Sequence, residues 1–370
     1  MGIDRREFLR LSGVGVAGVF ILPLMEGCES HTITPFVEPK PEPFLTPVSQ
    51  FFEQNGGEGA ITGWTRPVFA SPNDWSLVIK NRNTTIATVT YDELMTAADE
   101  PGVEVTLLKT IECVLQSEVR VSPTGFSGNA YWTGVPLQRF LGGIDLSATK
   151  RLVLTGADRF VNNIKPERIF DAESMGLVQP LLVYKINGEE LPPEHGFPVR
   201  LIIQEAYGYK NVKWLTEVQA VNVDINFGTY QGQGFIDDGV MRVNSRATSL
   251  FDKIRVSAGP SMIFGFALSG FAPIEKVEIS IDGGPVGLAE IVPFDEFTAN
   301  LPPNIKQIVD SEAYPFLGVW TPWRFAWDAV RGDHTIAIRA FDTAGNMQPD
   351  SDDNINDGQN RVTTYRVSVT

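Results

Sequence analysis

Cysteine is almost absent from this chain. Of its 370 residues only Cys28 and Cys113 carry a thiol, and Cys28 falls in what reads as an N-terminal export signal. Cys113 is therefore the one cysteine free to do chemistry in the exported part, which excludes an internal disulfide, a multi-cysteine zinc site and an iron–sulfur cluster. Packing, nucleophilic attack and single-thiolate ligation of a metal all stay open. Its setting, Thr110-Ile111-Glu112-Cys113-Val114-Leu115-Gln116, is a short strand-like run, where an inert buried thiol is the commoner outcome. Histidine is equally scarce. His31, His195 and His334 are the three present; they supply no b-type haem pair, and no Cys-x-x-Cys-His haem motif occurs. Positive charge is in deficit, with 30 Lys and Arg against 45 Asp and Glu and a net charge of −15. Such a chain is a poor partner for nucleic acid. Past Leu24 no apolar run is long enough to span a membrane, and no internal repeat is visible.

The N-terminus is organised differently. Asp4-Arg5-Arg6-Glu7-Phe8-Leu9-Arg10 sets paired arginines before Phe-Leu, and an apolar, Gly-rich run follows from Leu11 to Leu24. This is a twin-arginine export pattern, too short for a membrane span. Residues 1–27 read as the signal peptide. Met25-Glu26-Gly27-Cys28 resembles a lipobox, in which a diacylglyceryl group on Cys28 would anchor the chain. Residues 28–47, rich in Pro, Thr and Glu, read as an extended tether. The expected location is periplasmic, or anchored on the outer side of the inner membrane.

The remaining chain, roughly 340 residues, suffices for two domains with sizeable cores. Residues 48–232 mix strand-like runs with short helices, an α+β pattern lacking the strand–helix alternation of a doubly wound sheet. Strands are expected near Trp75–Ile79, Thr84–Val89, Val103–Leu108, Arg151–Thr155, Leu181–Tyr184 and Val199–Ile203. A helix is expected over Tyr91–Ala98 behind a Thr cap, and a second, short one over Pro136–Leu141. Beyond Gly232 the pattern becomes purely alternating. Val277, Ile279 and Ile281 interleave with polar residues and end on Asp282-Gly283-Gly284, a hairpin signal. Ile336, Ile338 and Ala340 repeat the alternation, and Val362–Val369 closes the chain. Residues 246–370 are expected to form an all-β sandwich of immunoglobulin-like size without a disulfide.

The densest chemical signal lies between Leu182 and Leu215. A buried strand feeds Leu191-Pro-Pro-Glu194-His195-Gly196-Phe-Pro-Val-Arg200, and Gly208-Tyr-Lys-Asn-Val-Lys213-Trp214-Leu follows. His195, Arg200 and Lys213 are three donors suited to a phosphate and a polar heterocycle, though each alone reads as an ordinary turn or surface residue. With Asn129-Ala-Tyr-Trp132-Thr-Gly134-Val-Pro-Leu137 and the Cys113 run, these pieces resemble the sulfite oxidase family of molybdenum enzymes. Trp320-Thr-Pro-Trp-Arg324-Phe and Asp342-Thr-Ala-Gly-Asn-Met-Gln-Pro349 resemble that family's dimerisation domain.

The resemblance implies a molybdopterin-binding catalytic domain followed by the sandwich, a molybdenum–molybdopterin cofactor and oxygen-atom transfer. Cys113 would be the thiolate ligand to the metal. His195, Arg200 and Lys213 would hold the pterin and its phosphate, and Tyr230 would hydrogen-bond beside the metal. An external redox partner such as a cytochrome, a small-molecule oxygen-atom donor or acceptor and a homodimer are implied too. The substrate pocket departs from the family pattern. Gln54, in Phe51-Phe52-Glu53-Gln54-Asn55, stands where the family has arginine, and Ser117 and Glu118 replace two further basic residues. Each charge-assisted hydrogen bond to a buried anion is worth about 1.5–3 kcal/mol, so sulfite is expected to bind poorly. A periplasmic sulfoxide reductase and a cofactor-free scaffold are the alternatives. The acidic loop Asp350–Gly358 invites a calcium reading but lacks EF-hand spacing, and a solvated loop is expected. Trp64, Trp132 and Trp323 are candidates for a pocket wall, with core packing the default.

Overall fold

The structure, a computed structural model, describes residues 41–53, 65–115, 124–250, 254–298, 301, 313–354 and 356–370. The signal segment, Cys28, His31, Gln54, Asn55, Trp64, Ser117 and Glu118 lie outside the described residues.

The first half contains β1 (Ser76–Asn81), β2 (Thr84–Thr90), α1 (Tyr91–Ala98), β3 (Val105–Glu112), β4 (Ser127–Pro136), β5 (Arg151–Gly156) and β6 (Val161–Ile164). A one-turn helix, α2 (Glu167–Phe170), then leads to β7 (Leu181–Ile186), β8 (Glu189–Glu190), β9 (Arg200–Ile202) and β10 (Leu215–Val221). They build two sheets, one in the order β2-β1-β10-β5-β6 and one in the order β3-β4-β7-β8, with β9 pairing on β7. The helix α1 has the expected bounds because Thr90 and Glu93 form a reciprocal cap, Thr90 Oγ1 accepting from Glu93 N at 3.2 Å and Glu93 Oε2 from Thr90 N at 2.7 Å. The short helix expected at Pro136–Leu141 is a 3-10 turn over Leu137–Phe140. The α+β expectation is met lopsidedly: the protein is mostly β, and its longest described helix is the eight-residue α1.

The β3–β4 sheet is buried on both faces, so its strands run almost continuously apolar instead of alternating. Leu182 and Tyr184 face one core and Leu181 and Val183 the other. Two of the buried charges in and beside this layer have local hydrogen-bond partners. Lys109, fully buried, donates to the carbonyls of Thr110, Gln204 and Ala206 at 3.1, 3.0 and 2.8 Å. Arg168 grips Glu205 through Nε and Nη2, the latter at 2.5 Å.

The second half contains β11 (Asn244–Ala247), β12 (Ile254–Val256), β13 (Gly259–Leu268), β14 (Ile274–Ile281), β15 (Gly287–Leu288), β16 (Glu290–Ile291), the short α3 (Phe294–Thr298), β17 (Thr321–Ala329), β18 (Gly332–Asp342) and β19 (Thr363–Val369). A sheet ordered β11-β13-β17-β16 and one ordered β12-β19-β18-β14-β15 share a single apolar core. Val277 and Ile279 of β14 and Ile336, Ile338 and Ala340 of β18 are buried in it, as their alternation requires. The turn after Ile281 is wider than a two-residue hairpin. Residues 282–286 lie between β14 and β15, which pair only at Glu278–Leu288 and Ile279–Gly287, and the main partner of β14 is β18. Trp323 belongs to this core, with Nε1 donating to Ser245 Oγ at 3.0 Å, and takes no part in the cavity that holds Cys113.

The halves meet at the back of β3. Asn244 Nδ2 donates to Glu112 Oε1 at 2.7 Å, Trp320 N to Thr110 Oγ1 at 2.9 Å and Trp320 Nε1 to Ser127 Oγ at 3.0 Å. No helix among the described residues is long and apolar enough to cross a membrane.

Arg168→Ala leaves the Glu205 carboxylate buried without its bidentate partner, a change that costs about 3–5 kcal/mol. Urea unfolding is expected to show a loss of that size, well beyond the ~1 kcal/mol of an exposed ion pair.

Candidate active site

Cys113 is the first residue beyond β3. Its backbone N–H donates to Phe126 O at 2.9 Å, holding it against the start of β4. The thiol is half-buried and not in a disulfide. Burial pushes it up to about 12, although the Leu115 N–H pulls the other way. A bare thiol there is protonated, and only a metal or a strong positive charge would make it a thiolate.

Three loops bring the remaining groups to Cys113. A Pro-Pro turn ends on His195 and is followed by Gly196 at φ 114°, a left-handed position that a side chain rarely adopts. A Cβ on Gly196 would also lie 3.0 Å from Arg200 Cβ and 3.3 Å from Lys213 Cβ. Glycine here lets the two basic stems close on the turn. Arg200 opens β9, where pairing of Val183 with Arg200 fixes its position. Its guanidinium lies 5.0 Å from the Trp132 ring, donates to His195 O at 2.8 Å and Asn211 O at 3.2 Å, and leaves Nε buried with no partner among the described residues. Asn211 folds the 203–211 loop back, its Oδ1 accepting from Ile203 N at 2.7 Å and its Nδ2 donating to Tyr207 O at 2.8 Å. Lys213, just ahead of β10, donates to Glu194 O at 2.7 Å and lies 4.5 Å from the Trp214 ring.

Cys113, His195, Arg200, Lys213 and Tyr230 all line one cavity of about 810 Å³, its open mouth included. The structure therefore brings together the five residues expected to hold the metal, hold the cofactor or act beside it, while Trp132 and Trp323, candidates for the pocket wall, do not line the cavity. It also adds Asp158, from the β5–β6 turn, to the same wall. Nothing in Thr155-Gly156-Ala157-Asp158 distinguishes this carboxylate from any turn aspartate, so the sequence offers no signal for it. Tyr230 is buried among Phe160, Tyr209 and Phe235, at ring distances of 5.7, 6.3 and 5.1 Å, while lining the cavity. Of the tryptophans, Trp132 lies beneath Arg200 and donates Nε1 to Lys109 O at 3.2 Å.

The basic groups are crowded. Burial first, then Arg200 and Lys213, lower His195 to about 3, so the imidazole is neutral at physiological pH. Burial lowers Arg200 to about 9. Burial and then Arg200 lower Lys213 to about 7, against a smaller opposing pull from Asp158. Burial raises Asp158.

Against this geometry, residues 64–226 match the model of the oxidoreductase molybdopterin binding domain. That stretch is a molybdopterin-binding domain, and the chain's relatives include sulfite oxidases. The chain is 27% identical to Arabidopsis thaliana sulfite oxidase over 188 residues, 46% of either chain. It is 29% identical to Gallus gallus sulfite oxidase over 191 residues, 46% of this chain and 38% of that one. A Phaseolus vulgaris NADH nitrate reductase is 23% identical over 356 residues, 83% of this chain and 37% of the relative. The matches thus span less than half of these relatives. The sulfane dehydrogenase SoxCD from Paracoccus pantotrophus shares the fold, with a TM-score of 0.66 at 22% identity over 88% of this chain and 82% of that one.

The cofactor of such a domain is molybdenum carried by molybdopterin, and the site fits it. Arg200 Nε is an orphaned buried donor, the hydrogen bonds of Arg200 go to main-chain carbonyls, and three basic groups face one cavity. A bound anion relieves that charge, and a neutral heterocycle can use Asp158 and His195. No cluster of three or more His, Cys, Asp or Glu occurs among the described residues; a metal whose other ligands come from its own cofactor needs only one.

Since Lys213 titrates near 7 in the fold against an ordinary 10.5, the unfolded chain binds more protons between those values. Cofactor-free protein therefore gains stability as pH rises through that window, and an anion helps most below it. Low-millimolar sulfate is expected to raise Tm more at pH 6 than at pH 9, measured against sodium chloride of equal ionic strength. Lys213→Met should lose most of that increment.

Proposed function

We propose that the chain is an exported molybdenum-dependent oxidoreductase that transfers an oxygen atom to or from a small molecule and exchanges electrons with an external redox protein. The observation that carries this reading is the meeting of Cys113 with His195, Arg200 and Lys213 in one cavity. When bound, molybdenum–molybdopterin supplies two-electron oxygen-atom transfer: an acceptor and water give the oxygenated product, two protons and two electrons, or the reverse. Cys113 supplies one thiolate to the metal. Arg200 and Lys213 take the anionic end of the cofactor, and His195, neutral at physiological pH and with one ring nitrogen bonded to the Val48 backbone, can accept a hydrogen bond from the heterocycle with the other. Asp158 can accept from a ring N–H. Tyr230 lies on the wall they share and would hydrogen-bond at the reacting centre. The packing of Phe51 edge-on to His195 at 5.6 Å helps to keep water from that end.

The residues outside the site extend the proposal. The twin-arginine pattern supports export of a folded, cofactor-loaded protein to the periplasm, with Cys28 as a lipid anchor. The two C-terminal sheets suit an immunoglobulin-like dimerisation domain from about residue 246, after a catalytic domain from about residue 48. A sulfoxide reductase is the same chemistry run in reverse. Convergence of the basic residues on Cys113 favours a loaded enzyme over a cofactor-free scaffold.

Elemental analysis of protein from a cofactor-competent host tests this. Near one molybdenum per wild-type chain is expected, with a sharp fall and loss of turnover in Cys113→Ser while circular dichroism stays native. A folded wild-type chain without molybdenum overturns the enzyme reading, and undiminished turnover in Cys113→Ser overturns the ligand assignment.

A further inference from the structure

The cavity has two chemically distinct kinds of wall. The basic groups share Gly196 as their pivot, and Phe51 packs on His195. Elsewhere the cavity is bounded by Phe160, Tyr209, Tyr230 and Phe235, which pack on one another edge-on or tilted: Tyr209 and Phe235 at 5.5 Å, Tyr230 and Phe235 at 5.1 Å. The Tyr209 hydroxyl donates to Ile236 O at 2.7 Å, which leaves its ring to face the cavity. Val114 and Leu115, directly after Cys113, continue the apolar lining.

This wall is held from the second half of the chain. Asn356 Nδ2 donates to Gln233 O at 2.9 Å and Asn356 O accepts from Ile236 N at 3.2 Å, so one residue of the 354–360 loop pins the segment that carries Phe235. Two residues on, Gly358 O accepts from Tyr207 Oη at 2.7 Å, and the Tyr207 ring stacks at 6.4 Å from Tyr209. The acidic loop thus serves as a brace. Asp352 and Asp357 accept from backbone N–H groups two residues on, at 2.9 and 2.8 Å, which is turn structure and no metal cage.

We propose that this braced aromatic wall selects an uncharged organic substrate, of the thioether–sulfoxide class, and discriminates against small oxyanions. The inference rests on the oxygen-atom-transfer reading above, in which the cofactor uses the cavity's cations. What is left to the substrate among the described residues is then mainly π-faces and alkyl groups, with the Tyr230 hydroxyl at the reacting centre, and these give an oxyanion few hydrogen bonds in exchange for its water. The chain's net charge of −15 further disfavours the approach of an anion. In the balanced step the sulfur–oxygen bond of a sulfoxide breaks, and the sulfoxide with two protons and two electrons gives the thioether and one water. The reverse step oxidises the thioether. The electrons come from or go to the external redox protein.

The test is calorimetric binding to molybdenum-loaded protein of methyl phenyl sulfone, an uncharged, unreactive analogue, against sulfate. Turnover of methyl phenyl sulfoxide with reduced viologen is measured beside it. The sulfone is expected to bind at least about tenfold more tightly than sulfate. Phe235→Ser is expected to weaken sulfone binding about tenfold with sulfate and molybdenum content unmoved, the loss of an aromatic contact in an apolar pocket. Asn356→Ala, on the brace and away from the cavity, should raise KM for the sulfoxide about threefold with kcat nearly constant. Asn356→Gln, if it restores the hydrogen bond, should recover part of that loss. Loaded protein that prefers sulfate, or a Phe235→Ser variant with unchanged sulfone affinity, overturns the inference alone. Folded protein that takes up no molybdenum overturns the functional reading and this inference with it.

Discussion

Desolvated positive charge is the constraint around which this site is built. Arg200 and Lys213 are brought into one cavity with His195, and burial lowers the proton affinity of all three. Taking such charges out of water costs several kcal/mol each unless something offsets it. Main-chain carbonyls and the faces of Trp132 and Trp214 offset part. The orphaned Arg200 Nε marks what is left over. An anionic cofactor would neutralise the remainder, which is why the arrangement makes physical sense for a molybdopterin phosphate and little sense as an ordinary core.

That arrangement depends on backbone placed far apart in sequence. Gly196 lets two basic stems approach each other, β7 holds β9 and hence Arg200 in register, and β5 and β1 flank β10 so that Lys213 sits at its mouth. The second half contributes rigidity at two points. It is bonded to the strand ahead of Cys113 through Asn244 and Trp320, and to the aromatic wall through Asn356 and Gly358. Loss of order in the second half would therefore be felt at both the Cys113 thiol and the aromatic wall of the cavity.

Much of this is legible in the residues. The Thr90–Glu93 cap sets α1, and period-two alternation reveals β14, β18 and β19, because these strands have one buried and one open face. Where both faces are buried, as in β4 and β7, the alternation vanishes, and only the apolar run is left to read. The convergence of Cys113, His195, Arg200, Lys213 and Tyr230 can be anticipated only from the resemblance of short motifs, since spacing along the chain carries no information about which loops meet. Asp158 carries no such signal, because a turn aspartate is commonplace until its neighbours are known. The bracing role of Asn356 is hidden in a loop whose composition suggests solvation, and the hydrogen bonds to Gln233 and Ile236 are long-range facts with no local signature.

The central claim is that one protein sulfur, Cys113, ligates the metal while the rest of the cavity holds its cofactor. X-ray absorption at the molybdenum edge counts sulfur neighbours directly. The account predicts that Cys113→Ser protein, in whatever fraction retains metal, has one fewer sulfur around molybdenum than wild type. An unchanged sulfur count in metal-bearing Cys113→Ser protein would contradict it.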